Sequence, residues 1–155
     1  MSTDYIVSSL PALTFGAKAT ITWARFAETV GSEEEAARLL APFADLDTQL
    51  RNAVAESRTA SQEHNRPTEG LSLYWKGRVA AAFAEKDIAR RDEMLDRVWW
   101  DAAGELVPPS SPLGHGALAA YAVRLKIALK REKISAQEGQ KAFDRLTHET
   151  RRVFS

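Results

Sequence analysis

The sequence predicts an all-α protein, a helical bundle or array of about six or seven helices with a short extended N-terminal segment. Three observations carry this reading. Apolar residues recur at spacings of three and four through most of the chain, serine and aspartate stand where those stretches begin, and segments rich in proline and glycine separate them. With 155 residues the chain fits one helical domain, 1–155, able to bury roughly 68–70% of its unfolded surface without staples. Flexible loops are expected near 62–70 and 107–116.

The first stretch, Tyr5 to Leu13, reads YIVSSLPAL. Tyr, Ile, Val and Leu favour an extended backbone, and Pro11 pushes Leu10 toward the β or polyproline region. A lone strand leaves its backbone groups unpaired. The segment is therefore expected to lie in a groove between helices or to pair with an edge strand of a neighbour, and the apolar area of Tyr5, Ile6, Val7 and Leu10 favours the groove.

The helical stretches follow in order. Trp23, Phe26, Ala27 and Val30 form the stripe of a short helix closed by Gly31. Ser32 with Glu35 forms a capping box that starts the next, and Glu33 to Glu35 suit the positive end of its dipole. Pro42 breaks the chain before a helix striped by Phe43, Leu46, Leu50 and Val54 that runs to about Ser61. Gln62 to Gly70 has no apolar residue and reads as a loop. A helix from near Leu71 carries Leu73, Trp75, Val79 and Phe83. Another, from Ile88 to about Ala103 behind Asp87, carries Met94, Leu95, Val98, Trp99 and Leu106, with Asp87–Arg91 and Glu93–Arg97 as pairs one turn apart. Pro108 to Gly116, with three prolines and two glycines, is the clearest linker. Beyond it Leu118, Tyr121, Leu125 and Leu129 share a stripe. A second capping box, Ser135 to Glu138, then opens a last helix with Phe143, Leu146 and Val153 inward and Phe154 at the frayed end. Internal repeats and low-complexity tracts are absent.

Composition excludes several functions. Lys plus Arg and Asp plus Glu number 21 each, so the whole molecule carries no attraction for nucleic acid or an anionic membrane. Without cysteine there is no disulfide, thiolate nucleophile or Cys-ligated zinc. The longest apolar run is too short for a signal peptide or a membrane span, which suits a cytoplasmic protein without direct membrane insertion.

No chemistry is written in the motifs. His64, His115 and His148 are far apart and none belongs to H-E-x-x-H, so solvated or capping roles are expected. Asp45 and Asp47 lack the glycine and distal glutamate of a calcium loop, and Asp47 is better placed to pair with Arg51 on a helix. G-x-S-x-G, G-x-x-x-x-G-K-[ST] and G-x-G-x-x-G are all missing. The expectation is a non-enzyme with no catalytic residue, no cofactor and no metal. An enzyme using Asp45, Asp47 and Glu93 together is the weakest reading.

Two features point to partners. Arg124, Lys126, Lys130, Arg131 and Lys133 crowd ten residues, and Lys126, Lys130 and Lys133 share a helical face suited to an acidic protein surface. A solvated face is the plainer account. The four tryptophans are the second feature. Trp99 and Trp100 diverge by about 100° around a helix axis, so one is core and the other half-exposed or an interface anchor. Tyr5, Leu10, Pro11, Trp75, Trp99, Trp100, Tyr121, Arg124, Lys126 and Lys130 are the candidate protein-contact residues.

As an ordered set, YIVSSLPALTFG, DLDTQLRNAVAESR, GLSLYWKGRVAAAFAEKDIARRDEMLDRVWWD and LAAYAVRLKIALKREKISAQEGQKAFDRL resemble an uncharacterised family encoded in V-type (A/V-type) ATPase operons of bacteria. Leu10-Pro11, Arg51-Asn52, Tyr74-Trp75, Tyr121 through Lys126 and Gly139 carry the likeness. The resemblance implies a non-catalytic accessory protein of the rotary ATPase or ATP synthase. Its role would lie in the stalk or in assembly, like that of the all-helical component that couples the central shaft to the membrane rotor, serving proton transport through contact with V-type ATPase subunits. The alternative is a ligand-binding or regulatory helical domain with Trp75, Trp99 and Tyr121 lining a pocket.

Overall fold

The computed structural model describes residues 2–58 and 70–154, the side chains of 149–154 excepted. Its described residues form seven α-helices and two 3₁₀ turns, with no strand among them. The all-α class read from periodicity is the class observed.

The N-terminal segment departs from expectation. It is a helix, α1 (Thr3–Ser9), not an extended strand. Ser2 caps it by accepting the Tyr5 N–H, and Asp4 sits in the first turn, where negative charge is favoured. These end effects outweigh the β preference of Ile6 and Val7, and the restriction imposed by Pro11 reaches only Leu10, which closes the helix with an extended backbone. The backbone groups are satisfied locally. Ile6, Val7 and Leu10 turn their side chains onto the body, while Tyr5 remains 60% exposed.

The next elements follow their cap signals. In α2 (Trp23–Val30) Thr22 accepts the Arg25 N–H, and Gly31 ends the helix at φ 131°, a conformation that disfavours any side chain. Ser32 accepts the Glu35 N–H to start α3 (Glu33–Arg38). Pro42 lies in a 3₁₀ turn, Ala41–Phe43, which redirects the chain into α4 (Ala44–Arg58). The continuation expected to Ser61 and the loop residues 62–69, with His64, lie outside the described residues.

Ser72 caps α5 (Leu73–Ala84), which packs on α4 and α6 through Trp75, Val79 and Ala82. Leu73, expected on the inner stripe, is 84% exposed because it occupies the first helical position ahead of the packed turns. Asp87 accepts two N–H groups, from Ala89 and Arg90, at the start of α6 (Ile88–Ala102), and a 3₁₀ turn, Ala103–Leu106, follows. The one-turn ion pairs expected on α6, Asp87–Arg91 and Glu93–Arg97, give way to other contacts. Arg97 reaches Asp101 at 3.2 Å, and Arg91 donates to the Glu85 carbonyl.

The largest departure is α7 (His115–Phe154), one unbroken helix of 40 residues. It is about 60 Å long. Ser135 and Glu138 lie inside it rather than opening a new helix. Nothing between Lys133 and Ser135 breaks the backbone ladder, and a cap signal without a preceding breaker is overridden by propagation. The helix start is fixed by close approach: a Cβ on Gly116 would meet the Leu106 carbonyl oxygen, so only glycine lets α7 lie against the 3₁₀ turn.

Around α7 the core forms two clusters. One gathers Phe43, Leu50, Trp75, Val79, Val98 and Trp100 from α4, α5, α6 and the first 3₁₀ turn; the other gathers Ile21, Phe26, Ala36 and Leu39 against Leu118, Ala122 and Leu125. Leu13, Ala19 and Leu40 pack against both, so the apolar interior is continuous. Every residue from Lys133 to Leu146 is exposed, although Ile134 and Glu138 still border α6 and Ala136 borders the segment at Phe15 and Lys18. Phe143 and Leu146, expected to face inward, are each 63% exposed; Val153 and Phe154 fall among side chains that are not described.

Candidate functional site

The residues singled out for partner contact separate into three environments. Trp75 and Trp100 belong to the core, 6% and 7% exposed, and have little surface to offer. The Trp75 indole donates to Glu105, and the Phe15 ring meets Trp100 edge-on at 5.5 Å. Tyr121 stacks on Phe26 with centroids 5.6 Å apart and donates its hydroxyl to the Pro11 carbonyl at 2.6 Å. Burial pushes the Tyr121 hydroxyl up to about 12. Leu10 packs against the same cluster, leaving Tyr5 as the exposed residue of this group.

The basic run does not form one open face. Helical geometry sends its members in different directions, and most find partners within the chain. Arg124 is half-buried, donates Nε–H to the Trp100 carbonyl at 3.0 Å and lies over the Trp100 ring. Burial lowers its pKa, with Asp101 opposing and Arg97 reinforcing the shift. The Lys126 ammonium sits 4.0 Å from the centre of the Trp23 ring. Lys130 and Arg131 converge on Asp96 at 2.7 and 3.0 Å, and the Asp96 side chain is only 15% exposed.

One of the open grooves lies between α4, α6 and the outer face of α7. Phe43, Val54, Leu95, Trp99 and Ile127 supply its apolar lining. The Trp99 indole N–H is held by Asp47 at 2.8 Å, and Asp47 also pairs with Arg51 at 3.0 Å, the pair anticipated from the sequence. Lys126, Lys130 and Asp92 stand along the rim. Thus α6 resolves its adjacent tryptophans as one core residue, Trp100, and one half-buried residue at a surface groove, Trp99. Sequence reasoning found Trp99, Lys126 and Lys130. It missed Val54 and Ile127 as groove residues because their apolar character marks them only as inward-facing.

The groups in the groove are an indole, carboxylates and cations, of which Asp47 pairs with Arg51 and Asp96 with Lys130. They present apolar area and charge to another molecule. Among the described residues the buried set contains no polar or charged side chain, and no three His, Asp or Glu side chains converge as metal ligands. Asp45 and Glu93 are exposed, whereas Asp47 is tied to Trp99 and Arg51. Nor do Trp75, Trp99 and Tyr121 line a common cavity, since the first two pack with one cluster and Tyr121 with the other. Among the described residues no helix is long and apolar enough to cross a membrane.

The fold therefore defines an all-α protein with an open interhelical groove and one long projecting helix. No protein-family model matches the chain, and no curated protein or solved structure is significantly similar to it.

Proposed function

We propose that this chain is a non-catalytic accessory protein that works by protein–protein contact, receiving an amphipathic helix of its partner in the groove between α4, α6 and α7. The observation that carries the reading is Trp99, a half-buried indole fixed by Asp47 among apolar neighbours and ringed by charges of both signs. A helix seated in such a groove buries its apolar face on the tryptophan and meets the rim with charged flanks. The sequence resemblance supplies the partner: a V-type ATPase, with a stalk or assembly role at the cytoplasmic side of the membrane, like the all-helical coupler between shaft and rotor.

Affinity purification of the tagged full chain from a cell expressing its own V-type ATPase tests this. Subunits of the soluble head or stalk are expected to co-purify. Charge reversal at the exposed rim, Arg51→Glu with Lys130→Glu, is expected to reduce their recovery while the circular dichroism spectrum stays helical. Recovery of no ATPase subunit defeats the ATPase assignment. Undiminished recovery with the rim variant defeats the groove as the contact.

A further inference from the structure

A second cleft lies on the far side of α7 from Trp99. Residues 128, 132 and 136, which border it, sit about half a turn around the helix axis from 126, 130 and 134, which border the groove. Its other wall is the segment joining α1 to α2. That segment turns at Gly16, where the Ala17 N–H donates to the Thr14 carbonyl at 3.1 Å, and the Ala19 N–H ties it to α7 by donating to the Glu132 carboxylate at 2.6 Å. Phe15, Leu129 and the exposed edge of Trp100 supply an apolar floor, with the Phe15 ring edge-on to the indole. The cleft measures about 730 Å³, within the range of about 300–1,000 Å³ common to small-molecule sites.

Charge shows what fits it. Among the described residues three cations line the cleft, Lys18 from the joining segment and Arg131 and Lys133 from α7, against the single carboxylate of Glu132. The side chains of Lys18 and Lys133 make no ion pair or hydrogen bond with any described residue. Arg131 lies over the Phe15 ring and gives Nη1–H to Asp96 at 3.0 Å, a carboxylate that Lys130 shares, so the remaining donors of its guanidinium are unspent. The adjoining cleft beyond Phe15, between α6 and the later turns of α7, is lined by four arginines and five carboxylates and has no such excess. Cations gathered from two distant parts of the chain repel one another, and an anion seated between them relieves that repulsion.

We infer that the cleft between residues 15–18 and α7 binds a small organic anion, a carboxylate carried on an apolar stem. The stem lies on Phe15, Leu129 and the Trp100 edge, and the carboxylate takes the donors of Lys18, Arg131 and Lys133. Apolar area supplies contact and the cations supply the choice of sign, the usual division of labour in a ligand site. A bound anion bridges the joining segment to α7 and so stabilises the folded chain. The cleft shares no lining residue with the groove at Trp99, so this reading and the partner-binding one can each fail alone.

Titration of the full ¹⁵N-labelled chain with octanoate to about 20 mM, followed by amide chemical shifts, tests this. Saturable shifts are expected at Gly16, Ala17 and residues 132–136, with an apparent affinity that falls as salt is raised. Octan-1-ol, which has the stem without the charge, is expected to leave those amides unmoved. Lys18 and Lys133 are exposed, so Lys18→Glu with Lys133→Glu is expected to keep the helical spectrum while weakening octanoate about tenfold or more. Lys18→Arg with Lys133→Arg is expected to retain binding, and Arg51→Glu in the other groove to leave it unchanged. The inference is overturned by shifts that do not saturate, by shifts confined to the groove at Trp99, by an equal response to octan-1-ol, or by full affinity in the double glutamate variant.

Discussion

Replacing Phe26 by alanine tests the second cluster as the joint that holds α2 and α3 onto α7. Phe26 is 0% exposed, stacks on Tyr121 at 5.6 Å and meets Trp23 at 5.2 Å. Truncation removes a buried ring from water-free packing and leaves a cavity between rigid helices, which costs about 3–5 kcal/mol. The lost aromatic pairs lie within that figure and are not added to it. Against a typical total of about 5–15 kcal/mol for a domain, the variant loses a large share of its stability. Urea unfolding followed by far-ultraviolet circular dichroism measures the loss, with Phe143→Ala as the internal control at low protein concentration. Phe143 is 63% exposed on the projecting helix, so its truncation is expected to change stability by less than about 0.5 kcal/mol. Equal costs at the two positions, or a loss below about 1 kcal/mol for Phe26→Ala, refute the assignment of Phe26 to the core and of Phe143 to the surface.

Three further outcomes are expected. Because burial raises the Tyr121 hydroxyl to about 12, the folded state holds its proton longer than the unfolded chain. That contribution is complete below about pH 10 and is lost as pH rises toward 12; unfolding at pH 8 and pH 11 should show a smaller alkaline loss for Tyr121→Phe than for the native chain. Asp96→Asn removes the charge on which Lys130 and Arg131 converge at 2.7 and 3.0 Å, and is expected to cost about 1–3 kcal/mol in urea unfolding, with the difference from the native chain shrinking in high salt. Gly116→Ala places a methyl against the Leu106 carbonyl and is expected to lower the melting temperature by several degrees, whereas Gly139→Ala, with open space around it, stabilises α7 slightly.

Cap residues made two helix starts legible, those behind Ser32 and Asp87. Thr22, Ser32, Ser72 and Asp87 each accept backbone N–H groups where the chain turns helical, an interaction local enough to be read from a few neighbours. The same chemistry starts α1. Ser2 and Asp4 carry the signal there, and they prevail over the β-branched residues and Pro11 that argue for an extended segment. At Ser135 the signal was present and the start was not, because the chain was already helical and nothing interrupted it.

Surface and core were harder to separate. Periodicity says which residues share a stripe, and it says nothing of whether another element arrives to cover that stripe. Leu125 and Phe143 look alike in sequence, yet α2 and α3 cover the first and leave the second bare. Trp99 and Trp100 present the same difficulty. That they diverge follows from helix geometry, whereas which one is core depends on α7 and Phe15 closing over Trp100.

By itself, then, the amino-acid order determined the helical class, the main breaks at Gly31 and Pro42, and the neutral, cysteine-free composition. Those properties rest on local backbone preferences and on counts. Tertiary structure alone decided the groove around Trp99, the engagement of Lys130 and Arg131 by Asp96, and the length of α7 left uncovered. Each depends on residues far apart in the chain meeting in space, and burial is a property of that meeting rather than of any residue.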